Sequence, residues 1–345
     1  MRYYKTILMM SITLLLFTFT TLHCQVDNHG KSFYVASWNI ENLFDTKDDP
    51  NINDEEFLPE GSRQWTIDRF ETKISNLAKV INHMNDGCGP DIIAFQEVEN
   101  LNVLKWLVYR FKHRDYIIAH RDSPDERGID VALFYDRKVF DIEELDTLRV
   151  EIPTGTPTRY ILHVALRHKN EKSIIHLFVN HWPSRRGGEV KSEPNRIAAA
   201  RVLKNLVDKI LSEDKSSKII LLGDFNDEPD NKSIQETLGA SEFNCSESNN
   251  NLLNLAYTKA SRNEGSYLFG STWNMIDQII ISGSLFDKKG IDYLCDSYEV
   301  IKPDFMVIKE GERQGGPLPT YSGSRYLGGY SDHFPVGAKF ILTDK

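Results

Sequence analysis

The sequence predicts a mixed α/β protein built as one large domain with more than one sheet. Three observations lead there. The chain has 345 residues, 40% apolar and 26% charged, a globular balance whose length allows one large domain or two. No repeat and no low-complexity linker interrupts residues 33–343, which selects one domain. In each half, strand and helix patterns alternate first and strands follow strands later, so both element types share the fold. The same composition excludes a collagen, a low-complexity chain and a polytopic membrane protein. Lys and Arg total 41 against 50 Asp and Glu, for a net charge of -9, so a strongly basic coat for non-specific nucleic-acid binding is absent.

The chain opens with Arg2 and Lys5, then an uncharged apolar run from Ile7 to Leu22. At about 20 residues to span a bilayer, the run is slightly short for a membrane helix. A charged start and a short apolar run predict a signal peptide over residues 1–24, with a retained anchor as the alternative. Cleavage near Gln25 competes with lipoprotein processing at Cys24, which would leave a lipid anchor there. The mature protein is accordingly expected to be exported and periplasmic, secreted or lipid-anchored. Four cysteines in this length are too few for a disulfide scaffold. Cys245 and Cys295 are one bridge the mature chain allows, but buried free thiols are the preferred reading.

The elements follow in order. Residues 33–39 read as a strand running into polar sequence, and the acidic, turn-rich residues 45–64 as a long loop. From Thr66 a helical period begins at Ile67, Phe70, Ile74, Leu77, Ile81 and Met84, and Gly87, Gly89 and Pro90 stop it. Residues 91–95 are a short apolar strand. Leu101, Leu104, Leu107, Val108 and Phe111 mark a second helix. Strands are expected at 115–119, 131–135, 160–167 and 173–180, a helix at 193–212, and strands at 218–222, 276–282 and 335–342. Residues 241–271, rich in Asn and Ser, read as a surface loop.

One pattern recurs: an apolar strand meets a small cluster of Asp, Glu, Asn or His. The clusters are Trp38-Asn39-Ile40-Glu41, Gln96-Glu97, Asn180-His181-Trp182, Gly223-Asp224-Phe225-Asn226-Asp227, Asp277-Gln278 and Ser331-Asp332-His333. Asp, Asn and Gly at a strand end often make only a turn. Six such clusters, each with a carboxylate, amide or imidazole, point instead to groups gathered at strand ends to hold a metal or a phosphate. Oxygen donors without thiolates suit Mg2+ first, then Mn2+ or Ca2+. Histidine adds proton transfer near neutral pH. Together these suit attack of water on a phosphate ester. No Gly-x-Ser-x-Gly elbow and no phosphate-binding Gly-x4-Gly-Lys-Ser/Thr loop occurs, which disfavours acyl transfer and that class of nucleotide hydrolysis.

These clusters, in this order, resemble the endonuclease/exonuclease/phosphatase superfamily, which includes deoxyribonuclease I, sphingomyelinases and inositol polyphosphate 5-phosphatases. The match covers nearly the whole mature chain. The resemblance implies a four-layer α/β/β/α sandwich like that of deoxyribonuclease I. It implies that Asn39 and Glu97 hold the metal with Asp332 nearby, and that Asp224 and Asn226 orient the water and the phosphate. His333 would be the base, with Asp277 fixing its tautomer. His181 would stabilise the transferring phosphoryl group or protonate the leaving oxygen. The family carries one more polar residue on a middle strand. Residues 127–132 occupy that region, and Asp130 is the candidate, paired with His181. Arg159 and Arg185 are candidates for bidentate phosphate contacts.

The first functional expectation is an exported metal-dependent phosphodiesterase, foremost an endonuclease, acting on nucleic acid with DNA ahead of RNA. Arg185, Arg186, Lys191, Arg196 and Arg201 near His181 support a phosphate-bearing substrate. A sphingomyelinase-like or inositol-phosphate phosphoesterase is second; a lipid hydrolase favours an exposed aromatic hairpin, and the sequence shows no clear one. A catalytically silent binding protein is third. No obligate protein partner is implied. Residues 321–329, with Tyr321 and Tyr326 just before Ser331, are candidates to line the cleft and stack on bases. Trp182 and Trp273 are read as core.

Overall fold

Strand β1 (Ser32–Leu43) is buried on both faces. Phe33 and Val35 enter one core and Tyr34, Ala36 and Trp38 another, so alternate side chains of a single strand serve two layers. That is why it reads as a continuous apolar run rather than an alternating one. The computed structural model describes residues 31–343 except 112 and 247–251. The expected signal peptide and Cys24 lie outside the described residues. Among the described residues, no helix is long and apolar enough to cross a membrane.

After β1 come α1 (Ile67–Gly87), β2 (Ile92–Val98), α2 (Leu101–Val108), β3 (Tyr116–His120) and β4 (Asp130–Asp136). The second half opens with β5 (Phe140–Leu148), β6 (Ile161–His168), β7 (Ile174–His181), α3 (Glu189–Glu213) and β8 (Lys218–Asp224). Then follow β9 (Ala240–Glu242), β10 (Leu252–Asn254), α4 (Tyr257–Ala260), β11 (Tyr267–Phe269), β12 (Thr272–Asn274) and β13 (Asp277–Ser282). β14 (Gly290–Tyr293), β15 (Glu299–Val300), β16 (Tyr321–Ser322), β17 (Arg325–Tyr326) and β18 (Val336–Thr343) close the chain.

Two seven-stranded sheets result. One runs β14-β18-β1-β2-β4-β3, with β15 also on β18; the other runs β5-β6-β7-β8-β13-β10-β9. Val35, Ala94, Leu133 and Phe340 of the first face Leu177, Val179, Leu222 and Ile279 of the second in one shared core. On the outer side of the first sheet, Phe70, Ile74, Leu77 and Ile81 of α1 and Leu104 and Leu107 of α2 cover Trp38, Phe95 and Phe134. On the outer side of the second, Ala199, Leu203 and Val207 of α3 cover Phe178, Ile219, Leu221 and Ile280. The order of layers is α/β/β/α, as the resemblance implied.

Most predicted elements are present, with differences that have local causes. Regular helical dihedrals in α1 end by Met84, because Asn85 and Asp86 turn left-handed ahead of the expected glycine stop. Phe111 lies beyond α2, packed against Tyr116 with ring centroids 5.2 Å apart. Strand β5 was not expected: it is an edge strand with most side chains in water, so its acidic sequence carries no apolar run. Residues 241–271 are not a surface loop throughout. Leu252, Leu253 and Asn254 form β10 and pair with β13. Cys245 and Cys295 are joined by a disulfide, which corrects the preference for buried free thiols; Cys245 is exposed.

Candidate active site

Topology brings the six clusters to one end of both sheets. β1 and β2 run parallel, and their regular register ends at Asn39 opposite Gln96, beside Glu97. β7 and β8 run parallel and finish side by side, with His181 opposite Asp224. β13 is antiparallel to β8 and so begins where β8 ends, with Asp277 opposite Asp224. β18 is antiparallel to β1, so Asp332 and His333 precede it at the same end. The two sheets meet through Asn39, whose Nδ2 donates to Asp224 Oδ2 at 3.0 Å and to Glu97 Oε1 at 3.3 Å. Two backbone devices make this possible. Gly223 has φ +136°, and a Cβ there would sit 2.0 Å from Asn180 O, so only glycine lets β7 and β8 pair just before Asp224. Glu97 itself has φ +64° where the β2 register shifts, and its carboxylate accepts the Asn42 N–H at 2.9 Å.

The second histidine cluster is a carboxylate–imidazole pair. His333 Nδ1 lies 2.7 Å from Asp277 Oδ2, which also accepts the Ser266 hydroxyl at 2.5 Å. His333 O accepts Trp38 Nε1, and His333 N donates to Ser331 Oγ, which in turn donates to Asn39 O. The Tyr267 ring lies against the imidazole, centroids 4.7 Å apart. Burial works against a charged His333, but Asp277 above all, with Asp332 and Asp224, outweighs it and holds the imidazole well above the ordinary histidine range. His181 is the opposite case: burial, then Arg159, Arg127 and His333, holds it well below. The fold thus makes His333 the stronger base and keeps His181 neutral. His181 Nε2 stands 3.7 Å from Asp224 Oδ2 and 3.9 Å from Glu97 Oε1, and its Nδ1 is buried without a hydrogen-bond partner. Burial, followed by the charge of Asp277, pushes the Asp224 carboxyl up to about 7.

Glu97, Asp332 and Asp224 place carboxylate oxygens in one partly buried space. Asp332 is raised by burial, and the Glu97 charge adds to the shift while His333 opposes it. That repulsion among oxygen-only donors is the condition a divalent cation relieves, so the residues present fit one. Asn39 turns its amide nitrogen to the carboxylates, while its Oδ1 accepts the Glu41 N–H at 3.0 Å; in this arrangement it orients Glu97. Asp224, Asp277 and His333 also lie close enough to form a three-ligand group, as do His120, Asp122 and Asp130.

Asp130 is not paired with His181. Its Oδ2 is 2.9 Å from His120 Nε2 and its Oδ1 accepts the Ser123 N–H, so it pins the base of the loop that follows β3. Arg159 and Arg185, expected to meet phosphate, are engaged by protein groups and serve as buttresses. Arg159 is buried and donates to His181 O, Trp182 O and Asp125. Arg185 donates to Asn226 O, Asn274 Oδ1 and Asn231 Oδ1. Arg196 is wholly buried in an ion pair with Asp227. Arg127 and Arg186 are the exposed arginines of the cavity wall.

The cavity, about 1020 Å³, takes in Asn39, Glu97, His181, Asp224, Asn226, Asp332 and His333, with Asp277 behind His333. Sequence reasoning missed three contributors. Ser266 holds Asp277; Tyr267 packs on His333; Lys73, on the buried face of α1, stands 3.9 Å from Glu41 and donates to Thr320 and Tyr330 O. None has a local signal, except that a Lys at helical spacing from Phe70 is out of place on an apolar face. Tyr321 and Tyr326 pack instead against Arg63 and Arg69 of the α1 side. Trp182 is buried against Phe225, and Trp273 stacks on Phe334.

A model of the Endonuclease/Exonuclease/phosphatase family matches residues 34–342. No curated protein matches the sequence significantly. Among solved structures, the human Nocturnin catalytic domain is similar at 18% identity over 90% of this chain and 95% of that one, with a TM-score of 0.55. An endonuclease/exonuclease/phosphatase family protein from Bacteroides thetaiotaomicron is similar at 21% identity over 91% and 98%, TM-score 0.55. A mannosyl-6-phosphatase from the same organism is similar at 18% identity over 90% and 99%, TM-score 0.54. At these identities the likeness is one of fold.

Proposed function

The chain belongs to the endonuclease/exonuclease/phosphatase family, and from that premise we propose that it is a metal-dependent phosphodiesterase, foremost an endonuclease with Mg2+ as its cation. The observation that carries this reading is the Asp277–His333 pair standing in one cavity with Glu97, Asp332 and Asp224. A divalent cation bound there supplies charge neutralisation of the phosphate's non-bridging oxygens. Glu97 and Asp332 would hold it, with Asn39 orienting Glu97. Asp277 engages Nδ1 and leaves Nε2 to the cavity. With the carboxylate charge that keeps the imidazole protonated offset by a cation held by Glu97 and Asp332, neutral His333 would then take a proton from water through Nε2. Asp224 and Asn226 border the cavity beside it and orient the water and the phosphate for in-line attack. Neutral His181 hydrogen-bonds the phosphoryl group as charge builds on it. Arg127 and Arg186 add positive charge to the wall. The N-terminal pattern of a charged start and a short apolar run supports export of the mature chain.

The test is supercoiled plasmid with Mg2+, with and without EDTA, beside His333→Ala. Nicking that disappears in both controls is expected. Folded protein that leaves the plasmid intact removes the nuclease reading and sends the same preparation to sphingomyelin and small phosphoesters.

A further inference from the structure

The sequence shows no aromatic hairpin at the site, but the fold builds one. β11 and β12 pair antiparallel through Tyr267–Asn274, Leu268–Trp273 and Phe269–Thr272. Strand alternation puts Tyr267 and Phe269 on one face, about 6.7 Å apart along the strand. Both line the catalytic cavity, whereas Leu268 between them is buried on the other face. Tyr267 is in contact with His333, so Phe269 is two residues further out from the catalytic imidazole. Phe269 is 71% exposed, an unusual state for phenylalanine.

The hairpin is held rigidly. Ser266 binds Asp277, Ser266 O accepts the Phe334 N–H, and Leu268 O accepts Arg313 Nη2. A Cβ on Gly265 would meet Asn274 O at 2.6 Å, so the strands are as close as backbone allows. A rigid exposed ring loses little entropy on binding a flat partner. The turn itself is Gly270 and Ser271, followed by Thr272, so the apolar group at the tip is Phe269, and that ring lines the cavity. Thr272 and Asn274 join Phe269 on the cavity wall.

We infer that Phe269 is a stacking residue for a nucleobase, placed about one nucleotide's reach from the phosphate that His333 serves. The inference deepens the phosphodiesterase reading and rests on it: it names the substrate as nucleic acid with an unpaired base beside the scissile bond. Base–aromatic stacking is tolerant of sequence, since every base presents a flat face.

The experiment measures binding without turnover. A short fluorescent oligothymidylate and the same backbone lacking its bases are titrated, in EDTA, with the wild type, Phe269→Ala, Phe269→Leu and Phe269→Trp. The wild type is expected to prefer the base-bearing strand by roughly tenfold. Alanine and leucine should abolish the preference and tryptophan should keep it, with affinity for the abasic strand unchanged. Phe269 is exposed, and equal urea midpoints check that the variants fold alike. No preference in the wild type, or a preference that survives Phe269→Ala, overturns the inference. Binding to sphingomyelin and phosphatidylcholine vesicles that depends on Phe269, without base preference, also overturns it and assigns the hairpin to lipid. Plasmid nicking by a wild type with no base preference refutes this inference alone. Base preference without any cleavage refutes the hydrolytic reading alone.

Discussion

Arg159→Met separates the two roles an arginine beside His181 can have. Methionine keeps most of the volume and removes the charge and all the donors. In the folded protein, the guanidinium of Arg159 donates to Asp125 at 3.0 Å, to Trp182 O at 2.7 Å and to His181 O at 3.2 Å. Both members of the Asp125 pair are 7% exposed. Removing one member of a buried ion pair costs about 3–5 kcal/mol; Asp125 keeps the Arg127 N–H at 3.0 Å and Arg127 Nε at 3.6 Å, so the low end applies. Trp182 O keeps a second donor, Asn226 Nδ2 at 3.0 Å, so its loss adds little. His181 O loses a charged donor, and the segment carrying the imidazole loses its clasp. The expected result is a stability loss of about 3 kcal/mol by urea denaturation, with kcat on bis(p-nitrophenyl) phosphate reduced about tenfold and KM nearly unchanged. Arg186→Met is the contrast: the residue is exposed on the cavity wall, so stability should hold while KM rises. Wild-type stability in Arg159→Met together with a large rise in KM would refute the buttress and make Arg159 a phosphate ligand.

Two further outcomes follow from the same geometry. Gly223→Ala should cost at least ~3 kcal/mol, since it combines a forbidden φ with a backbone clash between β7 and β8; a wild-type urea midpoint would contradict this. Burial holds His163, next to His176, and His168 down to about 4, so both are neutral in the folded protein while the unfolded chain takes up protons near the ordinary 6.5. Their stabilisation is therefore complete above that value and lost as pH falls towards about 4, by up to ~3 kcal/mol each. Urea midpoints measured across that interval should fall steadily, and a flat profile would show that neither histidine is held neutral.

Local patterning carried the elements whose burial is regular. The period from Phe70 to Met84 is the face of α1 that covers the first sheet, and 219–222 is apolar throughout because β8 is buried on both sides. Where burial is one-sided or slight, the pattern weakens. β5 is acidic because it is an edge, and β10 is too short to show a period, so neither was legible. The site behaved in the same way. Polar residues that interrupt apolar strands stand out locally, so Asn39, Glu97, His181, Asp224, Asp277, Asp332 and His333 were all visible. The resemblance supplied one pairing, Asp277 with His333; the other contacts were not visible.

Residue types at strand ends, the alternation of elements and the oxygen-rich donor set belong to the sequence alone, because each reflects burial or chemistry within a few neighbouring residues. Which groups meet was decided by the tertiary structure. Asn39 reaches Asp224 across 185 residues, Asp130 turns to His120 and not to His181, and Arg159, expected at the phosphate, donates to the carbonyls of His181 and Trp182. Phe269 faces the cavity only because a glycine-tight hairpin is bonded to Asp277. A side chain's neighbours depend on strand order and register, and those are set by pairing between segments far apart in the chain, which no local period records.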